Sequence, residues 1–148
     1  YEAIWEKGPS AIHRVSFLKN LEQKHAPKSP THKQEIGRFG EEAARQVLLR
    51  DGYAILEQNY RLACGEIDLI AQDGRVIVFV EVKMRTSGAS YGREAVTPAK
   101  QKRICRGALR YMVQNGLTER QARFDVIEIR GARLTHIKDA FPYQGPMF

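Results

Sequence analysis

"CGEIDLIAQDGRVIVFVEVKMR", residues 64–85, decides the fold. Two runs rich in aliphatic residues flank Asp73-Gly74, a pair suited to a tight turn, so the stretch predicts a β-hairpin. Its second arm opens with Val76, Ile77, Val78, Phe79 and Val80, the composition of a strand buried in a sheet. Glu81 and Lys83 then fall where that strand should still be buried. A core strand ending in a carboxylate and an ammonium needs a chemical reason.

Side chains alternate along a strand, so Ile77, Phe79, Glu81 and Lys83 share one face and Val76, Val78, Val80 and Val82 the other. In the first arm the same rule groups Glu66, Asp68 and Ile70 against Ile67, Leu69 and Ala71. If the ionic faces coincide, Glu66, Asp68, Glu81 and Lys83 converge at one end of the hairpin. Three carboxylates brought together repel, and desolvating one is costly unless it is paired or metal-bound. Lys83 offsets one charge. The remainder suits a divalent cation such as Mg²⁺, which prefers carboxylate oxygens, keeps several waters and commonly binds phosphate.

Upstream, "KQEIGRFGEEAARQVLLRDG" predicts a helix over 33–51, with Ile36, Gly40, Ala43, Ala44, Val47 and Leu48 facing inward and Gly52 as its C-terminal cap. Glu42 shares a side with Arg38, Arg45 and Gln46, a solvated face. Glu41 lies in line with Gly37, Ala44 and Leu48 and is the carboxylate that could reach a site; the bland alternative is a boundary residue bridging Arg45. "YAILEQNYR" predicts the first strand. After the hairpin comes a Gly/Ser-rich loop, "TSGASYGREAV", in which Tyr91 and Gly92 are candidates for a substrate-facing flap. Thr97 caps a helix that starts at Pro98 and stops at Asn115-Gly116, and "RFDVIEI" and "RLTHIKDAF" predict two more strands. The order α-β-β-β-α-β points to a mixed α/β fold with helices flanking a small sheet.

Residues 1–33 read as a separate basic extension, a possible helix with Ala11, Ile12, Val15 and Leu18 on one side followed by the linker "APKSPTHK". The segment is either a partner-binding arm or a poorly ordered extension; residues 34–148 form the folded domain. The 148 residues suffice for one core, and a net charge of +7 with 28% charged residues favours a polyanionic partner. Lys100, Lys102, Arg103, Arg106 and Arg110 make the second helix strongly basic. Arg103, Arg106 and Arg110 step by three and four, a stripe suited to phosphates or, more plainly, an ordinary solvated face. Cys64 and Cys105 are read as reduced thiols, and His13, His25, His32 and His136 lack zinc-ligand spacing. No apolar run reaches a membrane span, and no Walker, GxGxxG or GxSxG motif is present. A cytoplasmic protein with no membrane partner is the expectation.

Asp at the end of one hairpin arm, Glu-x-Lys on the next, and a preceding helix bearing Glu together resemble the PD-(D/E)XK nuclease superfamily. More closely, "GRFGEEAA", "GEIDLI", "FVEVKMR", "YG" and "RFDVI" resemble the bacterial YraN family, whose sheet core is similar to that of archaeal Holliday junction resolvases. The match spans roughly residues 34–130. The resemblance implies a restriction-endonuclease-like α-β-β-β-α-β core and metal-assisted hydrolysis of DNA phosphodiesters. It makes Asp68, Glu81 and Glu41 ligands of Mg²⁺ or Mn²⁺, and gives Lys83 the role of orienting water and stabilising charge. Glu66 belongs to the YraN segment but has no fixed place in the wider superfamily. Ile67 stands where that superfamily's name has Pro. By analogy with the resolvases, the substrate is structured or branched DNA and the protein a homodimer. The rival expectation is a non-catalytic nucleic-acid-binding or assembly module that retains the fold.

Overall fold

The computed structural model describes residues 31–85 and 96–145. The expected N-terminal extension falls on residues 1–30 for all but its last positions, and it lies outside the described residues, as do Tyr91 and Gly92. The elements run α1 (His32–Arg50), β1 (Ala54–Leu62), β2 (Gly65–Asp73), β3 (Val76–Arg85), α2 (Pro98–Gln114), β4 (Ala122–Arg130) and β5 (Arg133–Ile137). The order is α-β-β-β-α-β-β, the expected core followed by the strand expected in "RLTHIKDAF", which ends at Ile137.

Each helix is delimited by its own sequence. Thr31 accepts from the Gln34 amide while the Gln34 side chain takes the Thr31 N–H, a reciprocal cap that starts α1. At its end the Gly52 and Tyr53 amides return to the Leu49 and Leu48 carbonyls, with Gly52 at φ 89°. That geometry needs a residue free of a Cβ. α2 begins with Thr97 accepting from the Lys100 amide, with Pro98 in the first helical turn. It closes in the same way as α1, with Gly116 at φ 66°.

Among the described residues, one sheet has the order β1-β2-β3-β4-β5, antiparallel throughout except for the parallel pair β3–β4. The β2–β3 turn falls one residue later than the Asp73-Gly74 pair suggested. Asp73 pairs with Val76, so the turn residues are Gly74, at φ 61°, and Arg75. The helices cover opposite faces. On one, Ala43, Ala44, Val47 and Leu48 of α1 pack on Leu69, Ala71, Val78, Val80, Ile127 and Ile129. On the other, Ile104, Cys105, Ala108, Tyr111 and Met112 of α2 pack on Ile67, Ile70, Ile77, Phe79, Phe124 and Val126. Because β3 alternates strictly between two buried faces, its apolar run is continuous, as the sequence showed. Phe124 stacks between Phe79 and Phe141 at 5.6 and 5.1 Å and fastens the α2 side.

One alternation expectation fails. Ile67 was grouped with Leu69 and Ala71, yet it packs with Ile70 on the α2 side, where a Cβ on Gly107 would lie 3.1 Å from it. Period two is interrupted at Asp68. There the β2–β3 register has already ended, at Leu69–Val80, although both strands continue beyond it. β2 stays paired with β1 to Gly65, while β3 stays paired with β4 to Arg85. The sheet therefore splits. Facing like charges such as Asp68 and Glu81 disfavour a ladder at that point.

Candidate metal centre

The split positions the acidic side chains. The Asp68 carboxylate reaches across it and accepts the Val82 N–H at 2.8 Å, supplying the hydrogen bond that a neighbouring strand would otherwise give. Glu66, from the solvent end of β2, and Glu41, from the α1 side, come to the same place: one carboxylate oxygen from each of Glu41, Glu66 and Asp68 lies within 4.8 Å of the others. Glu81 comes from the α2 face of β3. Its Oε1 meets Lys83 Nζ at 3.4 Å and Lys100 Nζ at 3.2 Å. Its Oε2 is buried with no hydrogen-bond partner, in a residue only 4% exposed.

Electrostatics follow from this crowding. Burial and the Glu81 charge push the Asp68 carboxyl up to about 8, against the Val82 amide, which favours the anion. Glu41 adds to the rise and Lys100 opposes it. Burial and then Glu66 hold Glu41 above the ordinary glutamate range, while a hydrogen bond from Asn59 works the other way.

The donor set fits a hard divalent cation. All candidate ligands are carboxylate oxygens, which suits Mg²⁺ or Mn²⁺ and not a thiolate-preferring metal. A buried carboxylate oxygen without a donor is costly, and a cation is the partner that would satisfy it. Glu66, which had no assigned role, belongs to the close trio; Glu81, assigned as a ligand, is engaged by two ammonium groups and stands outside it.

Other residues land differently from expectation. Arg45 bridges Glu42 at 3.3 Å, leaving Glu41 directed to the acidic group. Lys100, one of the five basic residues of this helix, reaches Glu81, because the Thr97 cap puts it in the first turn of α2. Lys102, Arg103, Arg106 and Arg110 are exposed. Arg103 lies beside the start of β2: a Cβ on Gly65, next to Glu66 in sequence, would sit 3.9 Å from the Arg103 Cβ.

Three features escaped the sequence reading. Asn59 stands at φ 51°, and with its amide assigned so that the nitrogen faces the neighbouring acceptors it donates to Glu66 Oε1 and Glu41 Oε2, both at 2.9 Å. An Asn in the middle of an otherwise strand-like run was its available signal, since strands are poor in Asn and left-handed positions are rich in it. Glu128 is 2% exposed, pairs in register with Lys83 and bonds Arg130 at 2.7 Å. Alternation along β4 would have placed it beside Glu81 and Lys83. Asp125 is the third. It is fully buried at the far end of β4, bonded by Arg123, His136 and the Asp139 amide. Burial raises its carboxyl, but these donors outweigh burial and hold it below the usual range. With all its partners satisfied, that network reads as structural.

The family model described as "Uncharacterised protein family UPF0102" matches residues 40–129. The chain belongs to this family. It is the family to which the five segments pointed under the name YraN. A UPF0102 protein of Alkalilimnicola ehrlichii is 43% identical over 121 residues, covering 80% of this chain and 96% of that one. One from Syntrophus aciditrophicus is 48% identical over 117 residues, covering 75% and 91%. UPF0102 protein STH1475 of Symbiobacterium thermophilum is 51% identical over 96 residues, covering 64% and 80%. A solved structure described as "Crystal structure of SSO0001" aligns with 89% of this UPF0102 chain, which spans 64% of that one. Its TM-score of 0.41 at 14% identity is too slight to bear on fold or function. No helix among the described residues is long and apolar enough to cross a membrane.

Proposed function

We propose that this UPF0102 protein is a divalent-metal-dependent endonuclease acting on DNA, and on structured or branched DNA by analogy with the resolvases. One observation carries the reading: Glu41, Glu66 and Asp68 gather at the sheet split, and Glu81, whose charge acts on Asp68, is buried beside them with an oxygen that has no donor. A protein that only binds nucleic acid gains nothing from anions gathered where its substrate is anionic.

Glu41, Glu66 and Asp68 would hold the cation, with Glu81 at its border. A divalent cation there supplies polarisation of a phosphoryl oxygen and a more acidic water. Lys83 and Lys100 contribute fixed positive charge where negative charge grows in the transition state. Both ammonium groups lean on Glu81, so its charge sets where they sit. Arg103, Arg106 and Arg110 supply contacts to the DNA backbone, which hold register without reading sequence.

The test compares wild type with Glu81→Gln on linear, nicked and four-way-junction DNA, in Mg²⁺ or Mn²⁺. The expected outcome is at least ~100-fold slower cleavage with retained binding, in line with the loss of a group acting on the transition state. Equal cleavage by both proteins would assign the activity to a contaminant. The exposed arginine stripe favours a second reading in that case, a DNA-binding module that retains the fold.

A further inference from the structure

Asn59 occupies an unusual place for a strand residue. It sits between the register pairs Gln58–Leu69 and Tyr60–Ile67, across from Asp68, and its φ of 51° lies in the left-handed region. That conformation disfavours most side chains, and Asn is among the few that tolerate it. The backbone there redirects a side chain that regular alternation would have sent elsewhere.

The redirected amide meets two carboxylates from different elements, Glu41 of α1 and Glu66 of β2, each 2.9 Å from its nitrogen. In this orientation the donor faces acceptors; turned over, the carbonyl oxygen would face them instead. One NH₂ group has two hydrogens, enough for one bond to each carboxylate. It also carries no net charge. A lysine or arginine in its place would hold the same carboxylates while repelling any cation they were to bind. A neutral double donor restrains both ligands without competing for their charge.

We propose that Asn59 is a positioning residue of the cation site, fixing the Glu41 and Glu66 carboxylates in the separation that a hard divalent cation uses. This rests on the reading that the site takes a cation, for which the unpartnered Oε2 of buried Glu81 is the separate observation. Ligand-orienting groups of this kind are worth 10–100-fold in metal affinity.

Asn59→Gly separates this role from a backbone role, because glycine adopts positive φ freely and lacks the amide. Mn²⁺ binding is followed by electron paramagnetic resonance, and melting of the metal-free proteins by circular dichroism. The expected result is a melting temperature within a few degrees of wild type and Mn²⁺ affinity about 10–100-fold weaker. Equal affinity in the two proteins would overturn the role of Asn59 alone. Absence of Mn²⁺ binding by wild type would overturn the cation site as well. Wild type offers a check independent of the variant's folding: the Asn59 side-chain amide signal in a nitrogen-15 spectrum should move with Mg²⁺ at the binding midpoint. A signal that stays fixed while Mg²⁺ binds would also overturn the proposal.

Discussion

Asp68 keeps its proton far above the pH at which an exposed aspartate loses it. Burial and Glu81 raise its carboxyl from 3.8 to about 8. The folded state therefore holds a proton that the unfolded chain releases, and the stability this contributes is complete below about pH 4. It is lost as pH rises toward and through 8. Asn at this position keeps an acceptor for the Val82 N–H and never ionises. In the absence of metal, Asp68→Asn should gain on wild type as pH rises from 5 to 8, by roughly 2 kcal/mol at the upper end after allowing for relaxation of the site. Urea denaturation at both pH values measures it; a constant difference would mean that Asp68 ionises freely. At this scale the sequence disclosed the carboxylates and lysines, because charges at the end of an apolar strand are conspicuous. Asn59 went unseen because an Asn inside a strand-like run hints at a left-handed backbone angle but not at which side chains that angle brings together.

Between residue and fold stands the α2 start, where a hydroxyl decides what a lysine touches. Thr97 Oγ1 accepts from the Lys100 amide at 3.2 Å, and Lys100 Nζ in turn meets Glu81. Thr97→Ala should cost about 1 kcal/mol, with Thr97→Ser close to wild type. An unchanged chemical-denaturation midpoint for the alanine variant would show that Pro98 and the packing of Ile104 and Cys105 suffice to hold the helix start. Both helices were readable from caps, proline and glycine, and the hairpin from its apolar runs around Asp73-Gly74. The broken alternation at Ile67 was not. Period two presumes an intact ladder, whereas here β2 and β3 part company and Asp68 bonds across the gap. The contact of Lys100 with Glu81 was hidden for a related reason. It was read as one charge among five on a basic helix, while its position in the first turn set it apart from Arg103, Arg106 and Arg110.

The α/β class and the element order followed from punctuation along the chain; the sheet order and the split depend on contacts distant in sequence. β1, β2 and β3 are joined by two-residue turns, but β4 lies parallel to β3 and can reach it only through the crossover that carries α2, residues 86–121. Short connections close with little entropy loss, and pairing across a long one comes at greater cost. During refolding, then, Asp68 and Glu81 draw near each other while Lys100 is still undocked. Lys83 arrives with β3, and the second counter-charge comes late. Lys100→Met should leave the refolding limb of a stopped-flow chevron where it is and speed unfolding about 5-fold, for a loss near 1 kcal/mol. A slowed refolding limb would put the arrival of that ammonium before the barrier and reverse the order.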